Sequence, residues 1–130
     1  MWQQTNFGAV NPNNPVALNT ANPTGDGIPN LMKYAVGLNP SVHVNGAFLS
    51  TAQTGGTATL TFNRVRNATD ITYHVEATSN LTAWSEIWNS SSVPYAGGTN
   101  AVASVTVPDN IQISATPGKR RFLRLKITQP

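Results

Sequence analysis

Few side chains in this 130-residue chain could do chemistry, and they are scattered. Its two histidines, His43 and His74, have no acid at a spacing that would build a zinc site. His74 alternates with Tyr73 and Val75 and should face solvent beside Glu76, while His43 falls in a connector after Pro40. A serine hydrolase would place its nucleophile on a tight turn such as G-x-S-x-G, and none is present. A glycosidase needs two carboxyls flanking a cleft. The acids available for that, Asp70, Glu76, Glu86 and Asp109, fall on a strand or in turns with no spacing that pairs them. No catalytic constellation emerges, and the chain reads as a non-enzyme.

Aromatic side chains offer a different chemistry. Sugars present flat C–H faces that stack on exposed Trp and Tyr rings. Trp2, Trp84, Trp88 and Tyr95 are the candidates. Trp88 is followed by Asn89-Ser-Ser-Ser92, a stretch rich in adaptable hydrogen-bonding groups, and Tyr95 precedes Gly97-Gly98 at an expected loop tip. Trp88 and Tyr95 with Asn89 and Asn100 are therefore the candidate carbohydrate-binding residues. The competing reading has both rings sealing the end of a core. Trp88 lies four residues after Trp84, on the same strand face unless a bulge intervenes.

The elements that must position these residues are mostly strands. Alternation of period two places Ala58, Leu60 and Phe62 on one face against Thr57, Thr59 and Thr61. The same pattern recurs at Ile71–Ala77, Ala103–Val107 and Leu123–Ile127, with shorter candidates at Ala47–Ser50 and Trp84–Trp88. Turn signals at Gly55-Gly56, Asn67–Asp70, Gly97-Gly98 and Pro117-Gly118 separate them. One helix is expected over residues 29–36. Pro29 suits its first position, Leu31, Met32, Ala35 and Val36 supply an apolar stripe, and Gly37, Leu38 and Pro40 end it. The predicted fold is all-β, an antiparallel Ig/fibronectin-like β-sandwich with an N-terminal loop and one short helix. Residues 1–45 would form an arm packed on the sandwich through Trp2, Phe7, Leu31, Met32 and Tyr34. Residues 46–130 would form the sandwich, the two together making one compact domain.

Bulk composition agrees with an extracellular β protein. Only 10% of residues are charged and the formal net charge is +3, too small an excess to suggest a nucleic-acid interface. There is no cysteine, which excludes disulfides and thiolate metal sites. No apolar run approaches a membrane span. The first residues, Met1-Trp2-Gln3-Gln4, lack the basic start and apolar stretch of a signal peptide. An exported chain would thus be a segment of a longer protein, with Met1 added in cloning.

The stretch Asn22-Pro-Thr-Gly-Asp-Gly-Ile-Pro-Asn-Leu-Met-Lys-Tyr-Ala-Val-Gly-Leu-Asn-Pro40 resembles the motif D-x-D-G-D-G-L-x-N-x-x-E-Y-A-L-G-x-x-P. That motif is a calcium loop plus helix, related to thrombospondin type 3 and dockerin-like loops, in C-terminal accessory modules of secreted bacterial multidomain proteins. Trp2-Gln-Gln-Thr-Asn-Phe7-Gly8 resembles the opening W-x-x-x-x-F-G of such modules. Tyr73-His-Val-Glu76 with Leu81 and Trp84 resembles their Y-x-V-E…L-x-x-W strand pair, and Arg121-Phe-Leu-Arg-Leu125 their closing R-F-x-R-L strand. The resemblance implies a bacterial, secreted or cell-surface module without catalytic activity, attached to other domains of a parent protein, a polysaccharide-active domain among them.

In a loop of this kind hard oxygen ligands occupy positions 1, 3 and 5, a carbonyl position 7 and an acid position 12. Counting from Asn22 gives Thr24, Asp26, Ile28 and Asn30, with Lys33 where the acid should stand. One carboxylate and a cation at position 12 suit a vestigial loop better than a working calcium site. In the vestigial reading Asp26 caps helix amides and Lys33 reaches back toward it. Calcium at Asn22, Thr24, Asp26, Ile28 and Asn30 is the functional alternative, and no other cofactor is suggested. Lys119, Arg120, Arg121, Arg124 and Lys126 form a basic C-terminal stretch, read as a solvated strand face that discourages edge pairing. The expected partner is a polysaccharide, with no nucleic acid and no membrane span, and the chain is expected to be a monomer. The alternative is a structural or cell-surface attachment module without a soluble ligand.

Overall fold

The computed structural model describes residues 20–129. Trp2 and Phe7, the expected anchors of the arm, lie outside them. After an irregular loop come helix α1 (Asn30–Val36) and strands β1 (Ser50–Thr54), β2 (Thr57–Val65), β3 (Thr72–Thr78), β4 (Ser85–Asn89), β5 (Val102–Pro108) and β6 (Phe122–Thr128). The strands form two antiparallel three-stranded sheets, ordered β1-β2-β5 and β4-β3-β6. Among the described residues no helix is long and apolar enough to cross a membrane.

Alternation builds the core. Leu60 and Phe62 of β2, Val107 of β5, Tyr73 and Val75 of β3 and Leu125 of β6 are all buried in one apolar cluster, joined by Ala35 and Val36 of α1. Both sheets contribute, and the Phe62 and Tyr73 rings stack at 5.8 Å between centroids. Registers keep the apolar phases together: Leu60 faces Val107, and Val75 faces Leu125 and Trp88. Gly55 and Gly56 take positive φ of 58° and 82°, the pair of left-handed residues a two-residue hairpin between β1 and β2 requires.

Four local expectations need correction. Pro29 is the N-cap with extended ψ of 155°, not the first helical residue. The first strand spans Ser50–Thr54 rather than Ala47–Ser50, and every residue in it is exposed, so no alternation marks it. The helix buries Asn30 and Lys33 with Ala35 and Val36, whereas Leu31 and Met32 are only half-buried. Trp84 precedes β4 instead of joining its core face. A register shift opposite Val75/Glu76 directs both Ile87 and Trp88 toward the core, while Trp84 lies half-buried under the Arg124 guanidinium, 4.0 Å from its ring centre. The helix stop is as expected: Gly37 is left-handed and Leu38 N–H donates to the Lys33 carbonyl at 2.8 Å.

Candidate functional site

The loop before α1 encloses a cation, and the cation is the lysine. Lys33 Nζ donates to Asp26 Oδ2 at 2.7 Å, Thr24 Oγ1 at 2.7 Å and the Val42 carbonyl at 3.0 Å. These three acceptors use the three donors of an ammonium. Both charged side chains are 0% exposed. Asp26 also accepts from the Ile28 and Val44 amides, each at 3.0 Å, and from Thr24 Oγ1 at 3.0 Å. Burial alone would push its carboxyl up. The Lys33 hydrogen bond, the two amides and Thr24 outweigh that and hold it well below the usual carboxylate range. His43 Nδ1 closes the loop against the Thr24 carbonyl at 2.8 Å. Of the five candidate calcium ligands, Thr24 and Asp26 meet on the ammonium, Ile28 contributes its amide to Asp26, Asn22 is exposed and Asn30 is buried at the helix start. Asp26 does reach Lys33, but the amides it binds, Ile28 and Val44, precede or follow α1, so it does not cap the helix. Among the described residues no three His, Asp or Glu side chains cluster as a metal site.

The basic C-terminal stretch is partly absorbed into the fold. Arg121 grips Asp109 bidentately, Nε to Oδ2 at 2.6 Å and an η-nitrogen to Oδ1 at 2.9 Å, and donates to Ser79 Oγ at 3.0 Å. Arg124 donates to Glu76 at 2.8 Å while covering Trp84. On the same outer face His74 Nδ1 meets the Glu86 carboxylate and its Nε2 lies 2.7 Å from Thr128 Oγ1. The His74 contact is the largest influence on Glu86 and holds its carboxyl below the ordinary value. Thr128–His74–Glu86 has the connectivity of a hydrolase triad, but it ties β6, β3 and β4 together along the outer sheet face, and none of the three lines the cleft described next. Glu86, not Glu76, is thus the partner of His74.

A cleft of about 320 Å³ opens at the end of the sheets where β2 stops and β3 starts. Arg64, Arg66, Tyr73, Tyr95, Ser90 and Ser91 line it, with Thr69 and Thr72 beside them. Arg64 organises this end. Its guanidinium lies 5.8 Å from the Tyr73 ring centre and 5.9 Å from those of Trp88 and Tyr95. It donates to the Val93 carbonyl at 2.8 Å and the Ser90 carbonyl at 3.5 Å. Tyr73 is buried, donating to the Ala35 carbonyl at 2.5 Å and accepting from the Val65 amide at 3.0 Å. Tyr95 is half-buried, its hydroxyl on the Asn100 carbonyl at 2.7 Å. Gly97 admits that ring: a Cβ there would sit 2.5 Å from the Tyr95 hydroxyl.

The four residues expected to bind sugar are therefore divided. Trp88 and Tyr95 converge on Arg64, but Trp88 is half-buried with its edge on Phe62, centroids 5.7 Å apart, and only Tyr95 lines the cleft. Asn89 is occupied by the Ser91 amide at 2.8 Å and by Glu86 at 3.2 Å, and Asn100 serves Tyr95 through its main chain. The missed residues are Arg64, Arg66 and Tyr73, while Ser90 and Ser91 belong to the Asn89–Ser92 stretch singled out beside Trp88. Arg64 had a signal: it stands in phase with Leu60 and Phe62, an arginine at an inward position of β2. Compared with known proteins, the chain matches no family model, no curated protein and no solved structure.

Proposed function

We propose that this chain is a non-catalytic accessory module of a secreted bacterial protein, folded as an Ig/fibronectin-like β-sandwich, and that it binds polysaccharide in the cleft at the β2–β3 end. One observation carries the reading. A cleft of about 320 Å³ joins the half-buried Tyr95 ring to a positioned arginine and to Ser91, Thr69 and Thr72, while the buried Ser90 hydroxyl at its wall accepts from the Tyr73 amide at 2.9 Å. Small-ligand sites combine apolar surface with a few fixed polar groups in this way, at volumes of this order. An aromatic face takes the C–H side of a sugar while hydroxyl and guanidinium groups take its oxygens. Secretion and attachment to a polysaccharide-active parent rest on the resemblance of the Asn22–Pro40 segment to accessory modules.

The test is affinity electrophoresis against a panel of soluble and insoluble glycans, comparing wild type with Tyr95→Ala. Tyr95 is preferred to Trp88 because Trp88 packs on Phe62 and its loss would disturb the core. Retention by one glycan that Tyr95→Ala abolishes, with melting preserved, supports the cleft. No retention by any glycan rejects it in favour of a structural or cell-surface attachment module. The packing of Trp88 into the core is the observation that favours this second reading.

A further inference from the structure

We infer that the cleft selects anionic glycans, with Arg64 as the oriented reader of the acidic group and Arg66 as a flanking charge. This rests on the cleft being a glycan site. Charge distribution is the first support. The chain has eight Lys and Arg and five Asp and Glu side chains. Every one of those carboxylates is engaged: Asp26 with Lys33, Asp109 with Arg121, Glu76 with Arg124, Glu86 with His74, and Asp70 with Tyr34 and Gln129. Arg64 and Arg66 both line the cleft, no carboxylate lines it, and neither arginine has an acidic partner among the described residues. Asp70 stands between the lining residues Thr69 and Ile71 on two neutral partners, Tyr34 and Gln129, and offsets part of this charge. Two guanidinium groups against one carboxylate still leave the concavity net positive, a potential that a neutral ligand would not use.

Geometry adds selectivity. A guanidinium carries five N–H donors. Arg64 spends two on the Val93 and Ser90 carbonyls, and the rings of Tyr73, Trp88 and Tyr95 confine its plane. The remaining donors belong to a group whose orientation is already fixed, so little conformational freedom is lost when an anion docks. A planar fork matches a carboxylate or a sulfate edge, and an ammonium does not. Arg66 is exposed, uses its main-chain amide on the Ala101 carbonyl, and can follow an acidic substituent on the next sugar.

The experiment compares charged and uncharged forms of the same polymer by calorimetry on the full chain. Polygalacturonate is set against its fully methyl-esterified form, and a sulfated galactan against its desulfated form. The expected result is about tenfold tighter binding to one charged form than to its uncharged counterpart, falling with salt. The two pairs distinguish a carboxylate from a sulfate as the recognised group. Arg64→Lys keeps the charge but loses the fork and should weaken that binding about tenfold. Arg66→Gln, at an exposed position that cannot threaten the fold, should weaken it about threefold and flatten the salt dependence. Equal affinity for charged and uncharged forms overturns the inference while leaving a glycan site standing. So does an unchanged affinity in both variants. Failure of every polymer to bind removes the glycan reading itself.

Discussion

Replacing Asp109 by Asn tests whether the Arg121 pair holds the two sheets together. Asp109 follows β5, and Arg121 and Ser79 adjoin the β6 and β3 ends, so the contact bridges the sheets at the end opposite the Arg64 cleft. Arg121 is 6% exposed and the Asp109 side chain 0%. An exposed pair is worth about 0–1 kcal/mol, but removing one partner of a buried pair strands the other charge and costs about 3–5 kcal/mol. Asparagine keeps one acceptor for the guanidinium, which sets the expectation at the lower end, about 3 kcal/mol. For a chain of this length that lowers Tm by about 10 °C. The pH dependence carries a sign. Burial pushes the Asp109 carboxyl up, but the Arg121 hydrogen bond, the attraction of its charge and the Asn110 and Ile111 amides together hold it below its usual value. A carboxyl lowered on folding stabilises fully above its unfolded pKa of about 3.9, and that contribution is lost as pH falls through the folded value. Circular-dichroism melts of wild type and Asp109→Asn should therefore differ most near neutral pH and converge in acid. A Tm change under about 3 °C at neutral pH, or a difference that does not shrink in acid, refutes the reasoning.

Four further outcomes are expected. Melting of the wild type should be the same in EDTA and in millimolar calcium, because the Lys33 ammonium already fills the oxygen cage of Thr24, Asp26 and Val42. A calcium-induced rise in Tm would show binding to the folded state and defeat that account. Lys33→Gln should lower Tm in both buffers, since Asp26 then loses its buried counter-charge. Gly97→Ala should push the Tyr95 ring off the Asn100 carbonyl at a cost of about 1 kcal/mol, abolishing glycan retention while the chain stays folded; unchanged retention would mean that Tyr95 does not form the site. Leu81 is exposed and left-handed at φ 63°, so Leu81→Asn should raise stability by about 0.5 kcal/mol in a urea titration, and no gain would mean that its side chain contributes packing.

Where side chains alternate against a core, the sequence was readable. The phases at Leu60/Phe62, Tyr73/Val75 and Leu123/Leu125 placed β2, β3 and β6 because burial imposes a period of two. β1 had no such imprint, since both of its faces meet solvent and only its hydrogen bonds to β2 define it. The separation of Trp84 from Trp88 came from a bulge, and a single inserted residue inverts every parity after it without leaving a compositional mark. The buried pairs were the least legible. Arg121 and Asp109 look like a surface cation and a turn acid, and only the meeting of distant strand ends makes them a core contact. Lys33 was suggested by its position in the loop, but that it would be wholly buried follows from packing against Val42, beyond the helix.

These pairs also set where positive charge is left over. In a chain with so few acids, each one serves a local contact. Asp26 holds the loop, Asp109 the sheet junction, Glu76 and Glu86 their neighbouring strands, and Asp70 meets Tyr34 and Gln129. Lys33, Arg121 and Arg124 are neutralised in the process. The cations left without a carboxylate are Arg64, Arg66, Lys119, Arg120 and Lys126. Lys119, Arg120 and Lys126 project as exposed side chains, where water and salt screen them. Arg64 differs. It occupies an inward phase of β2, is half-buried among three rings and is held by two carbonyls. An arginine kept at the core margin without a carboxylate costs stability that a leucine in the same phase would not. Two carbonyls and three rings offset part of that cost, and under the proposed function an anion in the cleft would offset the rest.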